Sequence, residues 1–126
     1  MIYMDNAATT KTKKEVVDEM LEYFTILYGN PSSIYEFAGK SRDAIENARN
    51  IISDTINATS DEIYFTSGGT ESDNWALRTV AKAYKNKGKH IITSKIEHPA
   101  ILKTSKNLED LDFKISYIDV DEYGVI

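Results

Sequence analysis

The sequence predicts an α/β fold: N-terminal helices followed by a β-α-β-α-β section of a mainly parallel sheet. Three observations carry that expectation. Two long stretches in the first half repeat apolar residues at helical spacing, and short runs of β-branched and aromatic residues begin at residue 62. Helical stretches separate those runs, which is the order that parallel strands with crossover helices require.

The first helix is predicted over residues 13–28, where Val16, Val17, Met20, Leu21, Phe24 and Leu27 share one face and Gly29 offers a stop. Asn30-Pro31-Ser32-Ser33 reads as a turn, because Pro31 fixes its own φ and steers Asn30 away from helical geometry. A second helix is expected over residues 37–56, with Ala44, Ile45, Ala48, Ile51, Ile52 and Ile56 inward. Lys40, Arg42, Glu46 and Arg49 mark its solvated side. Ile63, Tyr64 and Phe65 then form a predicted strand, Ser67-Gly68-Gly69 a turn, and Thr70 with Asp73 a capping box that opens a helix through Ala76, Leu77, Val80, Ala81 and Tyr84. Gly88 is a candidate left-handed cap for that helix. A strand at residues 90–94, a helix at 100–111 introduced by Pro99, and an alternating strand at 113–119 complete the pattern. Tyr123-Gly124 sets up a last turn, and Val125-Ile126 reads either as the start of a further element or as a frayed tail.

With 126 residues, 41% hydrophobic, the chain is sized for one unit, 1–126, and no linker, repeat or low-complexity segment divides it. Its net charge of −5, with both signs interspersed, argues against a nucleic-acid partner. No apolar run is long enough for a membrane span and no charged leader precedes a hydrophobic stretch, so a cytoplasmic protein is expected. There is no cysteine, which excludes disulfides, thiolate metal sites and a cysteine nucleophile within these residues.

The chemistry is concentrated at the glycine turn. Glycines let backbone N–H groups approach an anion without an intervening Cβ, and a helix N-terminus adds its positive dipole end. The run lacks both G-x-x-x-x-G-K-[ST] and G-x-G-x-x-G, leaving a single phosphate at Gly68, Gly69 and Thr70, or else a tight turn with no ligand. Pyridoxal phosphate and flavin mononucleotide each carry one phosphate monoester. His98 ends the next predicted strand, where ligands gather in open α/β sheets, and reads either as a site residue or as an exposed or capping one. His90, at the other end of that strand, is the weaker candidate, and two histidines with no third ligand make no metal site. Asp5-Asn6-Ala7-Ala8-Thr9-Thr10 and Asn30-Pro31-Ser32-Ser33 read first as loops.

Taken together, Tyr3-Met4-Asp5-Asn6-Ala7-Ala8-Thr9-Thr10, Gly29-Asn30-Pro31-Ser32-Ser33, Phe65-Thr66-Ser67-Gly68-Gly69-Thr70-Glu71-Ser72-Asp73-Asn74 and Glu97-His98 occur in the order of one family. The chain resembles cysteine desulfurases of the NifS/IscS type, class V aminotransferases among the fold-type I pyridoxal phosphate enzymes. The resemblance runs through Val120-Asp121 and Gly124 and covers the N-terminal portion of the family's length. It implies that residues 1–126 are the N-terminal part of the large, cofactor-binding domain. It implies that Gly69 and Thr70 hold the phosphate of pyridoxal 5′-phosphate and that His98 stacks on the pyridine ring and assists proton transfer. Asn6, Ala7 and Thr9 match a segment near the active site, and residues 30–33 match a loop near a dimer interface.

The activity implied is removal of sulfur from L-cysteine, giving L-alanine and an enzyme persulfide that serves a sulfur-acceptor protein in iron–sulfur cluster assembly or thiolation. A homodimer is implied with it. The Schiff-base lysine, the acidic partner of the pyridine nitrogen and the nucleophilic cysteine belong to later parts of the family pattern, so these 126 residues are expected to be an N-terminal fragment, inactive alone. Alternatives are a selenocysteine lyase or another class V relative, and a non-enzymatic α/β phosphate-binding or interaction module.

Overall fold

The computed structural model describes residues 2–126. Its contacts cluster into two compact units, Met1–Tyr64 and Phe65–Ile126, a division that no change of composition marks in the sequence.

The first unit carries two helices, α1 (Lys14–Thr25) and α2 (Glu36–Thr55). Helix α1 stops four residues before Gly29, with the Ile26 and Leu27 N–H groups both donating to the Glu22 carbonyl. Gly29 has a different task from the expected helix stop: a Cβ there would lie 2.8 Å from the Phe37 carbonyl oxygen and 3.0 Å from the Ala38 Cα. That close approach buries Ala38 completely and brings Tyr28 edge-on to Phe37 at 5.0 Å. Ser41 adds a tie by donating to the Leu27 carbonyl at 2.7 Å. The turn at residues 30–33 forms as expected: Asn30 Oδ1 accepts from the Ser32 N–H at 3.0 Å, and Arg42 donates to the Pro31 and Ser33 carbonyls.

Two expectations for α2 are corrected. Ile45, Ile51, Ile52 and Ile56 are exposed, and the buried positions are Ala38, Ser41 and Ser53, because the close contacts of this helix are made through its small residues at Gly29 and the C-terminal turn. Arg49, expected on the solvated side, turns inward to donate to the Ile63 carbonyl and pairs with Glu46 at 3.2 Å. Asn57 takes a left-handed φ of 57° after α2, and the Ala58 N–H reaches back to the Ser53 carbonyl, the bond that closes a Schellman-type end.

The predicted strand at Ile63-Tyr64-Phe65 is not a ladder strand. Ser60–Glu62 forms one 3-10 turn with a Thr59/Glu62 capping box, and Ile63 leaves it in extended geometry. Extended backbone becomes a strand only when a neighbour continues the ladder, and the two strands that pair among the described residues are β1 (His90–Ser94) and β2 (Lys114–Ile118).

The second unit holds α3 (Gly69–Tyr84), β1, α4 (Pro99–Glu109) and β2. β1 and β2 run parallel from His90↔Lys114 to Ser94↔Ile118, with α4 as the crossover. The parallel α/β order expected from the alternation is therefore present, with two strands in the sheet. Helix α4 buries Ala100, Thr104, Ser105 and Leu108, a face of three small side chains and one leucine, and packs against α3 and β2. Gly88 is not left-handed: the Lys87 and Gly88 N–H groups donate to the Tyr84 carbonyl and end α3 without a positive φ. Asp112 is left-handed instead, at φ 62°, and the Phe113 N–H closes α4 on the Leu108 carbonyl at 3.1 Å.

Candidate phosphate-cofactor site

Gly68 is the N-cap of α3, and Gly69 and Thr70 are its first two residues. The expected Thr70/Asp73 capping box does not form, because the helix starts two residues earlier and places Thr70 inside its first turn. Glu71 makes the reciprocal contact in a shifted register: its Oε2 accepts from the Ser67 backbone N–H at 2.6 Å and from the Ser67 hydroxyl at 2.7 Å. Those two bonds, the backbone one first, hold the Glu71 carboxyl below its ordinary value. Thr66 and Ser72 close a second clasp with hydroxyl oxygens 2.6 Å apart.

The clasp engages the N–H of Ser67, while those of Glu71 and Ser72 turn to the Gly68 carbonyl. The N–H groups of Gly68, Gly69 and Thr70 meet no acceptor among the described residues. A Cβ built on Gly68 or Gly69 meets no atom within 4 Å, so packing within the chain does not demand glycine at either position. What the missing side chains leave is an open approach to three consecutive donors at the positive end of a sixteen-residue helix. A phosphate monoester fits that donor set.

His98 is brought to the same place by β1 and α4. It follows the end of β1 and caps α4, with Pro99 in the first helical position, where a missing N–H costs nothing. Its Nδ1 accepts from the Ala100 N–H at 3.1 Å, so the neutral ring carries its proton on Nε2. The capping reading of this histidine is observed, and the cap leaves the ring at the cleft. His98 and Thr70 line one open cleft of about 300 Å³ with Asn74, Pro99, Ala100, Lys103, Thr104 and Asn107.

Gly69 flanks Thr70 in the chain without lining that cleft, and Asn6, Ala7, Thr9 and the loop at residues 30–33 belong to the first unit. His90 lies at the opposite end of β1, with Nε2 2.8 Å from the Ser116 hydroxyl. Among the described residues no group of three His, Cys, Asp or Glu is placed to hold a metal ion. Among the described residues no helix is long and apolar enough to cross a membrane. Sequence reading missed Asn74, Lys103, Thr104 and Asn107; the available signal was helical spacing, since Asn74 stands one turn beyond Thr70.

Cysteine desulfurase IscS of Clostridium botulinum (strain Kyoto / Type A2) is 54% identical over 125 residues, covering 99% of this chain and 32% of that protein. The IscS of Methanosarcina thermophila is 55% identical, over 99% of this chain and 31% of its own length. Among solved structures, a NifS-like protein matches with a TM-score of 0.86 at 38% identity, over 93% of this chain and 32% of that one. SspA in complex with cysteine matches with a TM-score of 0.85 at 39% identity, over 92% and 33%. The chain spans about a third of the length of the curated relatives it matches. Class V aminotransferases and their cysteine desulfurase members depend on pyridoxal phosphate. The family model described as aminotransferase class-V matches residues 2–126, and the chain belongs to that family.

Proposed function

We propose that residues 1–126 are the N-terminal part of the pyridoxal phosphate-binding domain of a cysteine desulfurase. The parent enzyme takes sulfur from L-cysteine, releases L-alanine and carries the sulfur as an enzyme persulfide to an acceptor protein, for iron–sulfur cluster assembly or thiolation. The observation that carries this reading is the meeting of the Thr70 turn and His98 in one cleft, beside three unengaged N–H donors. The similarity to IscS proteins and to a structure titled as a complex with cysteine supports the substrate class. A cytoplasmic homodimer is the assembly that goes with it.

In this reading Gly69 and Thr70 hold the cofactor phosphate through backbone N–H groups and the Thr70 hydroxyl, and His98 serves the ring. When bound, the cofactor supplies an electron sink for the bonds at the substrate Cα. His98 is suited to hold or pass a proton at Nε2, because Nδ1 is engaged by the Ala100 N–H and cannot compete for the task. The sulfur-accepting thiol is not among these residues, which contain no cysteine.

Two outcomes are expected from the purified chain. Pyridoxal 5′-phosphate binds saturably and is displaced by inorganic phosphate, followed by cofactor fluorescence. L-cysteine with added cofactor yields neither alanine nor sulfide above the rate of free cofactor. Failure of saturable binding, or robust alanine formation, overturns the reading.

A further inference from the structure

A hydrogen-bonded chain crosses between the two helices that wall the cleft. Thr104 of α4 is 2% exposed, and its hydroxyl donates to Asn74 Oδ1 of α3. Asn74 Nδ2 donates in turn to the Thr70 carbonyl at 2.8 Å. Both ends of the Asn74 amide are used, and the sense of each bond fixes which way the amide faces.

Apolar packing alone does not set this arrangement. The helices pack against each other, and their buried apolar residues are Ala81 on α3 and Ala100 and Leu108 on α4; burial of that kind is non-directional and favours proximity without fixing axial register. A bond from a buried hydroxyl to an amide one turn inside α3 is directional and partly shielded from water, so it specifies register where packing leaves freedom. Its far end is the carbonyl of Thr70, a residue that lines the cleft and whose N–H meets no acceptor among the described residues. Its near end is six residues from His98 on the helix that His98 caps.

We propose that Asn74 and Thr104 are positioning residues, which lock the first turn of α3 against α4 so that Thr70 and His98 face one cleft. They act through Thr70 and are not required to touch the cofactor. The functional meaning of the lock rests on the cofactor reading given above, whereas the lock itself has a ligand-free consequence. Thr104→Val keeps nearly the same shape and removes the donor; Thr104→Ser keeps the donor and removes a methyl group.

Amide hydrogen exchange of the chain without ligand reads the lock directly. In Thr104→Val, exchange at residues 71–74 is expected to rise by about tenfold relative to wild type, the scale of one lost shielded hydrogen bond. Exchange in β1 and β2 stays unchanged, and Thr104→Ser restores the wild-type pattern. Asn74→Ala reproduces the effect of Thr104→Val, and the double variant adds nothing further. Unchanged exchange at residues 71–74, or a uniform rise across the second unit, overturns the proposal, since the pair is then absent or merely stabilising. Pyridoxal 5′-phosphate titration of the same variants separates the two readings. Wild-type binding without the local exchange response sinks the lock and leaves the cofactor site standing. A local response in a chain that binds no cofactor sinks the cofactor site and leaves the lock.

Discussion

At the scale of single residues, His98 carries two duties that mutation can separate. Its Nδ1 caps α4 through the Ala100 N–H, and its ring lines the cleft with Thr70. Asparagine is a good N-cap acceptor and has no imidazole, whereas alanine supplies neither function. His98→Ala should therefore cost about 1 kcal/mol of stability in the second unit, and His98→Asn only a few tenths, both read by chemical denaturation. Both variants should lose the part of cofactor affinity that the ring provides. Equal destabilisation by the two would show that the cap bond contributes nothing. The sequence made His98 conspicuous by its place at the end of a strand and offered capping as one reading, but it did not show which ring nitrogen is engaged, since that depends on the geometry of the turn. Thr70 shows the same limit. Its place near a helix start was legible, and the spacing to Asn74 was available one turn on, while the further link from Asn74 to the Thr104 hydroxyl depends on where α4 packs.

At the scale of elements, the turn before α3 is held by a carboxylate, which makes it sensitive to acid. The Ser67 bonds lower the folded-state pKa of Glu71 below its ordinary 4.5, and the Thr59 bonds do the same for Glu62. A lowered carboxyl pKa means that the folded state binds the proton less readily than the unfolded one. The clasp is therefore fully formed above about pH 4.5 and is lost as pH falls below that value through the folded pKa. The Ser67 amide should show an acid transition in that window by NMR, and Glu71→Gln should abolish it. A Ser67 resonance that is flat through this range in the wild type would contradict the clasp. Helices were the legible elements: amphipathic spacing located α1, α2 and α3, and Pro99 marked the start of α4, with ends displaced by a few residues where capping, not periodicity, decides the boundary. The box was misplaced on Thr70 and Asp73 because sequence spacing does not reveal that Gly68 becomes the N-cap. The run at Ile63-Tyr64-Phe65 has strand composition without a ladder, since pairing is decided by neighbours and not by the segment itself.

At the scale of the whole molecule, burial is uneven. The largest apolar side chains of α1 and the isoleucines of α2 are exposed, while the buried positions are mostly alanine, serine and threonine, with Leu108 the one large apolar side chain among them. The periodic stripes were readable in the sequence, but whether a stripe is covered is a property of what lies opposite it. The candidate site is different in kind, because Gly68, Gly69, Thr70, Asn74, His98 and Thr104 all fall within Phe65–Ile126, tied together by α3, α4 and the two parallel strands. Phosphate recognition should therefore be a local property of this unit. The most direct measurement is a pyridoxal 5′-phosphate titration of wild type against Gly69→Val, monitored by cofactor fluorescence, with thermal unfolding of both proteins. A Cβ at Gly69 would meet no atom of the chain within 4 Å, so added bulk there is expected to act on the approach of a ligand to the donors and not on packing. The expected result is a saturable wild-type isotherm, at least a tenfold loss of affinity in Gly69→Val, and unfolding temperatures that coincide. Equal cofactor affinity in the two proteins would contradict the assignment of this turn as the phosphate cradle.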